Sequence, residues 1–180
     1  MNKTIDNKEL KEEFIKYFGE EKWNQEEMLD KLSNVHLILC NDYHLQPVPL
    51  IVESISDDSR YDIQNDCIVI SDKVIMNYKE ALKCVIHETR HLYQRMIIDL
   101  KIISHPFYET WKDNFKEALT ADPNNIKQVE DYFKQPIEID AFAFTKYIFK
   151  KYFDEDLLCF DLMIEDIFNL YIKKYLVKGI

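Results

Sequence analysis

The segment from Lys79 to Ile98 constrains this chain most, because it lacks Gly and Pro and carries the pattern His-Glu-x-x-His. Apolar residues recur through it at helical spacing, so we predict one long and largely buried helix. On that helix His87 and His91 lie one turn apart on the same face, where both imidazoles can reach one metal ion. The pattern therefore predicts a metal site.

Glu88 gives this metal site a chemical role. His-Glu-x-x-His on a helix is typical of zinc hydrolases. A glutamate at this position lies behind the metal rather than on it, at the distance where it can take a proton from a zinc-bound water. We therefore predict zinc as the cofactor and Glu88 as the general base. The alternative is a solvated amphipathic helix with two surface histidines and no metal.

A catalytic zinc ion normally has three protein ligands, so a third must lie elsewhere in the chain. Gln94 stands where the extended metzincin pattern requires Gly, which excludes that form. A second helix is predicted to begin at Pro136, with two carboxylates, Glu138 and Asp140, close behind. The side chains of two residues that are two positions apart on a helix point in directions about 200° apart, so only one of them can face the metal. We favour Glu138 for its longer side chain, keep Asp140 as the alternative, and rank His105 below both.

These residues resemble those of the zincin-like metallopeptidases of the gluzincin kind, in which a Glu on a second helix completes the zinc site. The stretch Glu-x-Asp-Ala-x-Ala-Phe from Glu138 to Phe144 looks like the Glu-x-Glu-Ala-Asn-x-Phe-Ala signature of the ImmA/IrrE-type proteases. Phe142 stands where that family usually has Asn or Asp. The resemblance covers roughly Ile68 to Tyr152. It implies Glu138 as the third ligand and a regulatory protein as the substrate.

Length and composition favour one domain over residues 1–180, with a sizeable core. The chain has only two Gly and five Pro, which favours long helices over a sheet of many strands. We therefore predict a mostly helical α+β fold with a small sheet, and the resemblance implies a minimal zincin-like domain with that sheet beside the helix that carries the histidines.

The predicted elements follow from apolar spacing and turn residues. The predicted strands are Val35–Cys40, Pro47–Glu53 at a sheet edge, and Cys67–Ile70. Besides the helix over Lys79–Ile98, the predicted helices are Asn7–Phe18, Glu20–Leu32, Phe107–Leu119, Asn124–Phe133, Glu138–Tyr152 and Leu157–Val177.

The net charge of −10 argues against nucleic acid as a partner, because affinity for phosphate backbones comes from clustered Lys and Arg. The four cysteines are widely spaced, without a Cys-x-x-Cys pair, and fit a reducing compartment. No apolar stretch suggests a signal peptide or a membrane span. These features predict a cytoplasmic protein that does not bind membranes, and they leave its oligomeric state open.

The predicted function is zinc-dependent cleavage of a peptide or protein substrate, with an extended peptide held along a strand edge beside the metal. The alternative is a zincin-shaped interaction or regulatory protein that binds a partner without cleaving it. Glu88 favours catalysis, because a structural zinc site needs no base and is usually closed by four protein ligands. Arg90 and Gln94 lie within a turn of the ligands and can orient carboxylates or substrate, with a surface role as the alternative. His36 and His44 are not predicted to be ligands.

Overall fold

The computed structural model describes residues 24–55, 59–116, 124–157, 162–174 and 176. The elements in chain order are α1 (Gln25–Asp42), β1 (Leu50–Glu53), β2 (Arg60–Asp62), β3 (Cys67–Ser71), α2 (Asp72–Ile75), α3 (Tyr78–Asp99), α4 (Tyr108–Lys116), α5 (Ile126–Phe133), α6 (Pro136–Ile148), a π-helical turn (Phe149–Phe153) and α7 (Leu162–Lys174). This architecture confirms the predicted α+β class, with helix predominant and a small sheet.

The apolar run Val35–Cys40, predicted as a strand, is the second half of α1. Asn24 starts that helix with a capping box, in which its side chain and that of Glu27 accept each other's backbone N–H groups. The buried residues then recur at three- and four-residue spacing: Met28, Leu32, Val35, His36, Leu39 and Cys40. The strand prediction is wrong because a short apolar run fits a buried strand and a buried helix equally well.

The boundaries at this end of the chain also differ from the prediction. The helix expected over Glu20–Leu32 begins at Gln25 and continues ten residues beyond Leu32, to Asp42. Residues 20–23 and the whole helix predicted over Asn7–Phe18 lie outside the described residues.

The sheet has the strand order β1-β3-β2, with β1 parallel and β2 antiparallel to β3. Strands β1 and β3 confirm the predictions for Pro47–Glu53 and Cys67–Ile70, and β1 lies at an edge as expected. Every residue of the central strand β3 is buried. Strand β2 is not predicted by the sequence, because Arg60–Asp62 is short, polar and partly exposed. Its pairing with β3 is what makes it a strand.

Helix α3, at Tyr78–Asp99, confirms the helix predicted over Lys79–Ile98. The side chain of Asn77 caps its first turn by accepting the backbone N–H of Glu80. The helix packs against α1, the sheet, α4 and α6. His87, Glu88 and His91 therefore lie on the central element of the fold.

In the second half of the chain, α4 and α6 pack against α3, and α5 and α7 pack against α6. Helices α4 and α5 lie within the predicted ranges, although residues 117–119 of the first range are outside the described part of the chain. Helix α6 begins at Pro136, as predicted, and the π-helical turn ends the element expected to reach Tyr152. Helix α7 lies within its predicted range, of which residues 158–161, 175 and 177 are outside the described part of the chain. A buried cluster joins α3, α4 and α6 through Ile97, Tyr108, Trp111 and Ile137, so α6 is held against α3.

None of the described helices is both long and apolar enough to cross a bilayer.

His36 is a core residue that connects three segments. Its Nδ1 lies 2.8 Å from Thr89 Oγ1, and the backbone N–H of Val48 donates to its Nε2 at 3.2 Å. The Thr89 hydroxyl donates to the Val85 carbonyl at 2.6 Å, so its oxygen is left to accept a hydrogen bond from the Nδ1–H of His36. His36 is therefore neutral, with its hydrogen on Nδ1. Burial lowers its pKa to about 4.

We expect the free energy of unfolding to fall as the pH drops from about 6.5 to about 4, because His36 takes up a proton in the unfolded chain before it does so in the native protein. The pKa difference corresponds to about 3 kcal/mol. Denaturant unfolding measured between pH 4 and pH 7 tests this in wild type and in His36→Gln. The variant should lose this part of the pH dependence, and identical profiles for the two proteins would contradict the prediction.

Candidate metal centre

Three buried or largely buried side chains from α3 and α6 converge on one point. The Nε2 atoms of His87 and His91 lie 3.0 Å apart. Glu138 places one carboxylate oxygen 3.2 Å from His87 Nε2 and the other 3.5 Å from His91 Nε2. One ligand atom from each residue can be chosen so that all lie within 4.8 Å of one another. This group can hold a metal ion.

The protonation of this group shows why a cation fits it. The two imidazole Nε2 atoms and the carboxylate all present lone pairs unless a proton is added. Burial alone would raise the pKa of Glu138, but hydrogen bonds from His87 and His91 and the charge of those residues hold it well below its usual range. The centre therefore contains a carboxylate anion beside two imidazole Nε2 atoms, each of which can carry a proton or bind a metal ion in its place.

His91 responds to the same carboxylate. Burial by itself lowers the pKa of His91, but the hydrogen bond to Glu138, the charges of Glu138 and Glu88 and the contact with Gln94 raise it to about 9. The negative charge that favours a proton on this imidazole favours a metal cation at the same place.

The side chains of Glu138 and Asp140 point in different directions from α6, as their helical spacing requires. Asp140 is completely buried and faces Arg90 rather than the histidines. The guanidinium donates from Nε to Asp140 Oδ2 at 2.7 Å and from Nη2 to Oδ1 at 2.8 Å. Glu138, and not Asp140, therefore belongs to the candidate metal group. A surface role for Arg90 is excluded, because only 3% of the residue is exposed.

Gln94 connects this ion pair to a histidine of the metal group. Its Oε1 lies 2.7 Å from His91 Nδ1, and its Nε2 donates to Asp140 Oδ2 at 2.6 Å and to the Ile137 carbonyl at 2.9 Å. The side chain is fully buried, so a surface role is excluded here as well. In the sequence Gln94 stands out as a departure from the metzincin pattern. The available signal was its position three residues after His91, on the same helical face.

Glu88 lies beside the metal group and faces the sheet. The backbone N–H of Tyr61 in β2 donates to Glu88 Oε2 at 2.8 Å. Burial raises the pKa of Glu88, while the charges of His87 and His91 oppose the rise and that of Glu138 adds to it. This carboxyl group therefore takes up a proton more readily than an exposed glutamate.

His87 lacks the support that His91 receives. Its Nδ1 is buried and has no hydrogen-bond partner among the described residues. The ring packs instead against Phe142, with the centroids 4.4 Å apart. This is the position where the ImmA/IrrE-type signature has Asn or Asp, so the departure noted in the sequence coincides with an unsatisfied imidazole nitrogen.

The remaining histidines lie outside the metal group. His105, the lower-ranked candidate ligand, packs against Trp111 at 4.6 Å between ring centroids and accepts the backbone N–H of Phe107. His44 is exposed in a left-handed conformation after α1. Neither His105 nor His44 joins a metal-binding group in the part of the chain that the structure describes.

Comparison of the chain with protein-family models, with curated proteins and with solved structures gave no match. The resemblance to gluzincins therefore depends on the motif residues alone, and the geometry of the centre carries the functional argument.

We expect the purified protein to retain about one metal ion per chain, and the variants His87→Ala, His91→Ala and Glu138→Ala to lose it, because each removes one of three ligands. Elemental analysis after growth in zinc-replete medium measures the metal, and circular dichroism checks the fold. His44→Ala is the control that should keep the metal. Full metal content in Glu138→Ala would show that another residue is the third ligand.

Proposed function

We propose that the protein is a zinc-dependent hydrolase that cleaves peptide bonds, with zinc held by His87, His91 and Glu138 and with Glu88 as the general base. The observation that carries this proposal is the convergence of three ligand atoms from two helices next to a buried glutamate. A purely structural zinc site would usually have four protein ligands and no such neighbour.

Zinc is the metal that best suits this set of donors. Imidazole nitrogen and carboxylate oxygen at zinc distances of about 2.0–2.2 Å in a tetrahedral arrangement lie about 3.3–3.6 Å from one another. The corresponding separations here are 3.0, 3.2 and 3.5 Å. Three protein ligands leave a fourth position for water or substrate. When bound, zinc supplies Lewis acidity, which polarises a carbonyl and makes water acidic enough to give up a proton near neutral pH.

Glu88 is suited to transfer that proton. The Tyr61 N–H donates to one oxygen of its carboxylate, which fixes the side chain between α3 and β2. Because burial raises its pKa, the carboxyl group can accept a proton from the attacking water and return it to the leaving amine.

A peptide substrate is supported by the position of β2, a strand at the edge of the sheet in contact with α3. Such an edge can hold an extended peptide through backbone groups other than the Tyr61 N–H, which Glu88 already binds. The net charge of −10 disfavours nucleic acid. The resemblance to ImmA/IrrE-type proteases points to one specific regulatory protein as the target.

Cys40 and Cys67 are buried and form no disulfide among the described residues, which fits a reducing compartment, and we propose the cytoplasm as the location.

We expect Glu88→Gln to keep the fold and the metal and to lower the rate of peptide hydrolysis by about 10²- to 10⁴-fold. The amide retains an oxygen that can accept the Tyr61 N–H, but it cannot take a proton from water. A quenched-fluorescent peptide library measures hydrolysis, and elemental analysis in parallel measures the metal. Unchanged hydrolysis in a fully metallated variant would rule out Glu88 as the base.

The same pair of proteins tests the interaction-protein alternative. Wild type and Glu88→Gln can each be co-expressed with candidate regulators and assayed for binding and cleavage. The hydrolase proposal expects cleavage by wild type and capture of the intact target by the variant. Equal binding with no cleavage by either protein would favour an interaction role.

A further inference from the structure

We infer that Gln94 is a positioning residue that selects the nitrogen His91 presents to the metal, and that the Arg90–Asp140 ion pair keeps Gln94 in the required orientation. This inference rests on the proposed zinc site and adds a role for three side chains that are not ligands.

The orientation of the Gln94 amide follows from its two acceptor neighbours. The Ile137 carbonyl and Asp140 Oδ2 lie 2.9 and 2.6 Å from Gln94 Nε2, and neither oxygen can donate a hydrogen bond. Rotating the amide by 180° would place its oxygen against both of them. The NH₂ group therefore faces α6, and Oε1 faces His91.

Once Oε1 is fixed, the hydrogen on His91 is fixed as well. Gln94 Oε1 can only accept, and it lies 2.7 Å from His91 Nδ1, so Nδ1 carries a hydrogen. The lone pair of the neutral imidazole is then on Nε2, the atom that lies 3.0 Å from His87 Nε2 and 3.5 Å from Glu138 Oε1. The amide thus directs the metal-binding nitrogen of His91 into the centre.

Asp140 is held in turn by Arg90, which is why Gln94 cannot relax. The guanidinium binds both carboxylate oxygens and is enclosed by aromatic rings, with Tyr93 at 4.3 Å and Phe144 at 4.9 Å from its central carbon to the ring centroids. Arg90, Gln94 and Asp140 are 3%, 0% and 0% exposed, so each of them depends on the others for its hydrogen bonds.

Only one of the two histidines, His91, has a hydrogen bond to its Nδ1 among the described residues. Nδ1 of His87 has no partner among the described residues, and its ring packs on Phe142. His91 is therefore the ligand that the protein prepares in advance, and the effect of Gln94 on the metal should act through His91 alone.

Zinc affinity, measured by competition with a chelator, tests the inference. Gln94→Met removes the amide with little change in size, and we expect a loss of about 10- to 100-fold in affinity. In zinc-loaded protein the Nδ1 proton of His91, observed by ¹⁵N–¹H NMR, should exchange slowly with solvent in wild type and faster in the variant. The control is Thr89→Val, a buried isosteric change on α3 that removes hydrogen bonds to His36 and Val85. It should lower stability and leave zinc affinity unchanged.

A change of charge at nearly constant shape separates positioning from packing. In Asp140→Asn the new NH₂ group must face an N–H donor of Arg90 whichever way it is turned, so the ion pair that holds the Gln94 amide is broken. We therefore expect this variant also to bind zinc more weakly and to exchange the His91 Nδ1 proton faster. Wild-type zinc affinity in Gln94→Met or in Asp140→Asn would overturn the inference while the zinc site stood. No zinc binding by wild type would overturn the proposed function itself.

Discussion

The arrangement of the centre depends on the buried ion pair between Arg90 and Asp140. A guanidinium keeps its proton in proteins, so a buried arginine requires an acceptor, and removal of one partner of such a pair typically costs about 3–5 kcal/mol. Arg90 precedes His91 on α3, and Asp140 follows Glu138 by two residues on α6. The pair therefore fixes how the two helices lie along each other. Glu138, which points in another direction from the same helix, is brought to the histidines as a consequence.

Two buried polar groups lie side by side, and they differ in whether their hydrogen-bond donors and acceptors are matched. The Arg90–Asp140–Gln94 group has matched donors and acceptors, with carboxylate and carbonyl oxygens facing guanidinium and amide N–H groups. The group formed by His87, His91 and Glu138 has more acceptors than protons unless a cation is added. A network in which every donor and acceptor is paired is rigid, whereas the unpaired acceptors of the metal group gain interactions only when a cation binds. The first network gives the second its geometry.

The sequence could predict the parts of this structure that depend on local rules. The helix over Lys79–Ile98 and the start of α6 at Pro136 follow from periodicity and from the proline at the first turn. The run Val35–Cys40 could not be assigned correctly, because its length suits either a strand or a helix and the capping box that decides lies eleven residues upstream at Asn24. Strand β2 has no sequence signal of its own, since it is a strand only because its backbone pairs with that of β3.

The same distinction applies to the candidate site. Spacing on one helix was enough to place His87 and His91 together, and it limited the third position to one of two carboxylates. Which carboxylate faces the histidines depends on the side of α6 that packs against α3. Arg90 determines that side by binding Asp140, which is about fifty residues away in the sequence. Gln94 needed the same long-range information, because its partners Asp140 and Ile137 belong to the other helix.

The contact between Tyr61 and Glu88 also bears on self-association. Strand β2 lies at an edge of the sheet, where an unpaired backbone N–H can recruit a strand from another molecule. Glu88 occupies the Tyr61 N–H with a side-chain oxygen, so part of this edge is closed from within the chain. An alanine at position 88 would open that donor, whereas a glutamine would keep it occupied. Glu88→Ala should therefore favour self-association at the sheet edge, whereas Glu88→Gln should not, although both substitutions remove the carboxylate.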